Sequence, residues 1–220
     1  MESIQEGRSI MLNELFKHKI VTVVRGSGAE DAKGIVNALY DGGIRFIEFT
    51  FDQTEKGYKS TLGAIEYAAK DGRVHVGAGT VLTKEQVDLA KAAGAKYIIS
   101  PSVDVDVIKY TKAQGLISIP GALTPTEVVT AYNAGADVVK LFPISDLGVA
   151  YLKAVRAPLK HIPLMAVGGV DETNIVSFIK AGAVGVGLGG NIVDMKLVKA
   201  GDFDAIRRRA ENYVNCIKEC

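Results

Sequence analysis

An apolar run of strand length recurs eight times along this chain. The runs begin near Val21, Ile44, Val74, Lys96, Leu116, Asp137, Pro163 and Ala183, about 23 residues apart on average. Helix-like segments separate them: Ala29–Tyr40, Tyr58–Ala69, Lys84–Ala93, Val105–Ala113, Pro125–Asn133 and Glu172–Lys180. Glycine marks the joints. Ala-Gly-Ala, with Gly94, Gly135 and Gly182, precedes the fourth, sixth and eighth runs, and Gly43, Gly72 and Gly115 precede the second, third and fifth. A glycine just past a helix can take the left-handed conformation that ends it. Most of the runs are apolar on both faces, as buried parallel strands are. Eight such units predict a (β/α)₈ barrel of the TIM type. A doubly wound open sheet would call for Gly-x-Gly-x-x-Gly after the first strand, and Arg25-Gly-Ser-Gly28 does not supply it. Ser9–Lys17 reads as a short leading helix and Asp202–Lys218 as a C-terminal amphipathic helix. No linker or low-complexity stretch divides the chain, so residues 1–220 are expected to form one barrel domain.

Composition excludes several classes of function. The chain is 48% apolar with a net charge of +1, which gives no reason to expect nucleic acid or an anionic membrane as partner. No apolar run approaches the roughly 18 residues that span a bilayer, and the polar segment Met1–Gly7 is not a signal peptide. Cys216 and Cys220 make neither a disulfide framework nor a zinc site, so a reducing cytoplasm is expected. His18, His75 and His161 lack metal-ligand spacing, and no metal is expected.

In a barrel, reactive groups lie at the C-terminal strand ends and the loops beyond them. Ala136–Pro143 reads as a buried strand with Val138, Lys140 and Phe142 on one face and Val139 and Leu141 on the other. Burial disfavours an ammonium, and a partly neutral lysine attacks carbonyl carbon to form a Schiff base. The alternative is a lysine whose stem is buried while its head reaches water. Glu48 is a second charge in an apolar strand, Phe46–Phe51. Lys140 and Glu48 are then either a structural ion pair or a nucleophile and its acid/base, and chemistry is favoured because both sit in strands. Arg25 ends the first strand as an anion contact or a surface residue. Gly77-Ala-Gly-Thr80 ends the third, its glycines admitting a ligand or relieving crowding. Ser100-Pro101 and Pro120-Gly121 end the fourth and fifth. Gly168-Gly169 and Gly189-Gly190-Asn191 follow strands seven and eight. That pair of glycine loops, each opening a helix, reads as a phosphate site.

Taken together, Ile47-Glu48 with Thr50, Gly77–Thr80, Ser100-Pro101, Pro120-Gly121 with Thr124–Glu127, Val139–Pro143 and Gly168-Gly169 give a specific likeness. The chain resembles the bacterial 2-keto-3-deoxy-6-phosphogluconate / 4-hydroxy-2-oxoglutarate aldolases, class I enzymes of the Entner–Doudoroff pathway, from about Ser9 to Val198. The resemblance implies a trimer of (β/α)₈ barrels that needs no metal or other cofactor. It implies Lys140 as the Schiff-base lysine, Glu48 as the acid/base, and Thr80, Pro101 and Phe142 lining the pyruvate end. Gly168, Gly169, Gly189 and Gly190 would hold phosphate. It departs from the family at Asp52, where an arginine four residues after the glutamate often binds the substrate carboxylate, and at Asn191, often serine. Arg25 is therefore expected to pair with Asp52 or to serve as the carboxylate anchor itself. The rival readings are a phosphosugar isomerase or epimerase and a non-catalytic sugar-phosphate binding protein.

Overall fold

The computed structural model describes residues 2–218 and Cys220, apart from the side chains of residues 2–5, 55 and 56. Met1 and Glu219, which the single-domain expectation includes, lie outside the described residues. Nine strands form one parallel sheet: β1 (Ile20–Val24), β2 (Phe46–Thr50), β3 (His75–Gly79), β4 (Tyr97–Ile99), β5 (Ile117–Ile119), β6 (Gly121–Ala122), β7 (Val139–Leu141), β8 (Leu164–Val167) and β9 (Gly185–Leu188). Their order is β5-β4-β3-β2-β1-β9-β8-β7-β6. The two ends of that order, β5 and β6, are halves of a single barrel stave. Pro120 divides them because it has no N–H for the ladder, yet its carbonyl still accepts from Lys140 N–H at 2.9 Å. β5 pairs with β4 while β6 pairs with β7, so the sheet closes through Pro120 into the expected eight-stave barrel.

The helices alternate with the strands: α1 (Glu2–His18), α2 (Ala29–Asp41), α3 (Glu55–Asp71), α4 (Lys84–Ala92), α5 (Val105–Ala113), α6 (Pro125–Asn133), α7 (Gly148–Arg156), α8 (Ile175–Lys180), α9 (Met195–Ala200) and α10 (Phe203–Ile217). Caps fix their starts. Asp104 accepts from the N–H groups of Asp106 and Val107 to open α5. Thr124 and Glu127 form a capping box at α6, with Pro125 in its first turn. The three Ala-Gly-Ala joints end their helices with Gly94, Gly135 and Gly182 at φ of 99°, 104° and 97°. The leading helix starts before Ser9, α7 fills the interval between β7 and β8, and α9 follows the last strand.

Strand alternation produces two cores. Ile47, Phe49, Val139 and Leu141 point outward into the layer between strands and helices. Val21, Phe46, Tyr97, Ile117, Val138 and Met165 fill the barrel interior. Leu15, only 1% exposed, enters that inner core from α1, with Met11, Leu12 and Phe16 packed around it. The leading helix thus stoppers the end where the strands begin, and leaves the opposite mouth for polar side chains.

Candidate active site

Lys140 and Glu48 reach the interior from β7 and β2. In the closed sheet these staves stand four places apart in either direction, so they face each other across the barrel. The faces agree with the sequence expectation: Val138 and Phe142 go with the inner core and Val139 and Leu141 with the outer one. Lys140 is 8% exposed and Glu48 3%. Among the described residues no ion pair joins them, so a structural salt bridge is not what this geometry holds. Burial is the largest influence on each. It raises the Glu48 carboxyl above its ordinary range, against the pull of Lys140 and Arg25. It lowers the Lys140 ammonium, with Glu48 opposing and Arg25 assisting. Both groups are driven toward their neutral forms, which suits a nucleophile and a proton carrier. The Lys140 Nζ lies 4.5 Å from the centroid of the Phe142 ring, a contact that favours the ammonium and limits the lowering.

The glycines of β3 stand under crowded side chains. A Cβ on Gly79 would collide with the Glu48 carboxyl, and a Cβ on Gly77 with the Tyr97 ring. These glycines relieve crowding between neighbouring side chains. Thr80, just beyond them, has a φ of 56°, a left-handed conformation that costs a β-branched residue about 1–3 kcal/mol. Its carbonyl accepts from Gln53 Nε2 at 3.0 Å. The sequence carries no sign of this strain, because Gly-Ala-Gly suggests that the glycines take the unusual angles.

Arg25 is exposed and leans toward β9. Its Nη1 comes within 2.8 Å of the position a Gly189 Cβ would occupy. Among the described residues it pairs with no carboxylate, so the expected Arg25–Asp52 pair is not formed. Asp52 instead turns outward, where its Oδ1 accepts from Thr54 N–H at 3.0 Å and its side chain backs onto Gly57. The free guanidinium leaves the other half of the expectation, a carboxylate anchor, chemically available.

Pro101 and Phe142 line one cavity of about 380 Å³ with Gly121, Ala122 and Leu123, and Gly121 is pressed so closely against the Pro101 carbonyl that no side chain fits there. A larger cavity, about 500 Å³, lies at the opposite end beside α1 and contains none of the candidate residues.

The glycine loops also come together. Asn191 Nδ2 donates to Val170 O at 3.0 Å, tying the loop after β9 to the loop after β8. Gly168 and Gly169 have φ of 92° and 72°, and a Cβ on Gly169 would meet Ser145 at 2.5 Å. The loops do not open directly into helices, as the sequence suggests. Gly189 begins a single turn, accepting from Ile192 and Val193 N–H at 3.0 and 3.1 Å, and α9 starts only at Met195. Asp171 likewise accepts from Thr173 N–H before α8 begins at Ile175. Among the described residues no group of His, Cys, Asp and Glu is placed to hold a metal ion.

Comparison with known proteins shows what the chain as a whole is similar to. Residues 11–209 match the family model described as KDPG and KHG aldolase. The 2-dehydro-3-deoxy-6-phosphogalactonate aldolase of Escherichia coli K12 is 36% identical over 80% of this chain and 85% of its own. The 2-dehydro-3-deoxy-phosphogluconate aldolase of Treponema pallidum is 33% identical over 90% and 93%. A solved structure described as native KDPGal superposes with a TM-score of 0.82 at 32% identity, covering 91% of this chain and 94% of that one. The KDPG aldolase of Legionella pneumophila, with pyruvate captured as a covalent carbinolamine, superposes with a TM-score of 0.79 at 25% identity, covering 91% and 96%.

Proposed function

The chain belongs to the KDPG and KHG aldolase family, and from that premise we propose that it cleaves 2-keto-4-hydroxy acids to pyruvate and an aldehyde through a Schiff base on Lys140. The observation that carries the reading is the pair of buried, oppositely ionising groups facing each other at the barrel mouth, Lys140 and Glu48. Neutral Lys140 attacks the ketone carbon. Glu48 donates the proton with which the carbinolamine loses water, leaving an iminium. Glu48, now a carboxylate, takes the 4-hydroxyl proton through a water. The C3–C4 bond breaks, its electrons flow to the iminium to give an enamine, and the aldehyde departs. Protonation of the enamine at C3 and hydrolysis release pyruvate and regenerate Lys140. Proton transfer of this kind contributes about 10²–10⁴-fold. The covalent pyruvate of the Legionella relative supports the route. It asks for no metal and no other cofactor.

Arg25 takes the substrate carboxylate, with Thr80, Pro101 and Phe142 around the pyruvate end. Gly168, Gly169, Gly189, Gly190 and Asn191 receive a terminal phosphate through backbone N–H groups. The substrate is 2-dehydro-3-deoxy-6-phosphogluconate, its C4 epimer the galactonate, or 4-hydroxy-2-oxoglutarate, and the aldehyde is glyceraldehyde 3-phosphate or glyoxylate. The relatives' names support both phosphorylated epimers. The same proposal includes one domain over residues 1–220, supported by the single sheet. It also includes a homotrimer in the cytoplasm. Among the described residues no helix is long and apolar enough to cross a membrane.

The test is trapping. Incubation with pyruvate and borohydride should add the mass of one reduced pyruvate, mapped to Lys140 by peptide mass spectrometry. Because burial lowers the Lys140 ammonium, trapping should grow as pH rises and level off below the ordinary lysine value of about 10.4. An adduct on another lysine, or none, overturns the proposal and returns the chain to the isomerase or binding-protein readings.

The phosphate loops make a separate expectation. Inorganic phosphate should compete with a phosphorylated substrate. Gly169→Leu should raise the KM for that substrate by about 10-fold or more, the scale of one lost charge-assisted contact, and affect 4-hydroxy-2-oxoglutarate much less. Equal damage to both substrates would make the loop structural, through the Ser145 contact.

A further inference from the structure

The inner face of the barrel carries a polar group that the chemistry above leaves unused. Tyr97 on β4 is 1% exposed, and its hydroxyl has no hydrogen-bond partner among the described residues. Register explains how it fits. Glu48, Gly77 and Tyr97 stand side by side on β2, β3 and β4. Gly77 gives way to the Tyr97 ring, and Gly79 gives way to the Glu48 carboxyl. Two glycines on one strand therefore let side chains from the strands on either side lie over it, Tyr97 at Gly77 and Glu48 at Gly79. The Phe46 ring, 6.0 Å from the Tyr97 ring between centroids, packs against the same aromatic body. A buried phenol left without a partner is unfavourable, and buried polar groups are commonly completed by an ordered water.

We propose that Tyr97 is a positioning residue for Glu48, its hydroxyl donating to a water in the barrel interior that in turn donates to the Glu48 carboxylate. The proposal rests on the aldolase reading of Glu48. It adds a contact that favours the charged form and fixes which carboxyl oxygen faces the substrate. Burial raises the Tyr97 phenol, and the Glu48 carboxylate raises it further, so the two groups already sense each other. The other charges that face Glu48 are Lys140 and Arg25, and both favour its carboxylate. The water bridge acts alongside them against burial.

Tyr97→Phe removes one oxygen and keeps the ring in its place. Losing a hydrogen bond to the charged form raises the Glu48 pKa, by about one unit. That rise should be read directly by carbon NMR of carboxyl-labelled glutamate. The base must be ionised to act, so the acid limb of kcat should move to higher pH by the same amount. KM should hold, and the pyruvate adduct on Lys140 should still form. In a Glu48→Gln background, Tyr97→Phe should change nothing further in the residual rate. If the Glu48 titration and the acid limb stay where they were, Tyr97 is packing alone and the proposal fails, whatever happens to the thermal midpoint. Should Tyr97→Phe not fold, the coupling is read from the other side: Glu48→Gln should lower the Tyr97 phenol titration, and an unmoved phenol overturns the proposal. The NMR titration needs no substrate. A missing pyruvate adduct in the unaltered chain would therefore sink the aldolase reading and leave the Tyr97–Glu48 coupling separately measurable.

Discussion

Lys140→Arg is expected to abolish turnover and the borohydride-trapped pyruvate adduct together. A Schiff base needs a neutral amine with a free lone pair. Lysine is moved toward that state here because burial outweighs the attraction of Glu48. A guanidinium stays protonated at any working pH and has no comparable nucleophilic lone pair. Arginine is also larger, and overpacking a filled interior costs about 1–3 kcal/mol, so loss of activity in this variant needs a second to interpret it. Lys140→Met keeps nearly the same volume and removes the buried charge. It should be as inactive as the arginine variant, with a thermal midpoint no lower than the unaltered chain. The sign follows from the lowered ammonium. A group harder to protonate in the folded state than in the unfolded one disfavours folding while it is charged. That penalty is fully present at pH below its folded value and disappears as pH rises toward the unfolded value of about 10.4. The stability advantage of Lys140→Met should therefore be largest at low pH and fade on the alkaline side. If residual turnover in either variant exceeds a few per cent, another amine forms the imine.

Much of the fold and site is legible in the sequence, for identifiable reasons. The bounds of α5 and α6 follow from Asp104 and from Thr124-Pro125, whose capping preferences are local. The strands follow from glycine joints, which are local too. The orientation of Lys140 follows from strict alternation along β7. What escapes a sequence reading depends on which strand lies beside which. Arg25 matches Asp52 on the ground that β1 neighbours β2, but in a closed sheet β1 also neighbours β9. Gly189, having no side chain, leaves room for the guanidinium on that side. Tyr97 reads as one more apolar strand residue until its register with Gly77 is known. The division of the fifth stave turns on Pro120, which in sequence reads as a strand end although the chain pairs on both sides of it.

Glu48→Gln should lower turnover by about 10²-fold or more, the usual worth of a positioned acid/base, while the pyruvate adduct on Lys140 still forms. The amide keeps the shape over Gly79, so packing is preserved. It cannot gain or lose a proton, so every step that moves one slows. Formation of the imine from pyruvate is helped by Glu48 but can proceed with protons from water, whereas removal of the 4-hydroxyl proton during cleavage is the step assigned to the Glu48 carboxylate. The loss should therefore fall on kcat more than on KM. The pH profile should change with it. Burial raises the Glu48 carboxyl, so the unaltered chain should lose activity on the acid side at a pH above the ordinary glutamate value of about 4.3, as the base becomes protonated. In Glu48→Gln that limb should vanish and the small remaining rate should follow only the Lys140 titration. Gly79→Ala provides the geometric counterpart. It leaves the carboxyl titratable but places a methyl group where that carboxyl now rests, forcing Glu48 away from the substrate, and a misplacement of about 1 Å can cost on the order of 10²-fold. A large kcat loss in both variants assigns Glu48 its proton-transfer role through position as well as charge. Near-normal turnover in Glu48→Gln would instead make Glu48 a buried counter-charge for Lys140 and shift the acid/base work to bound water.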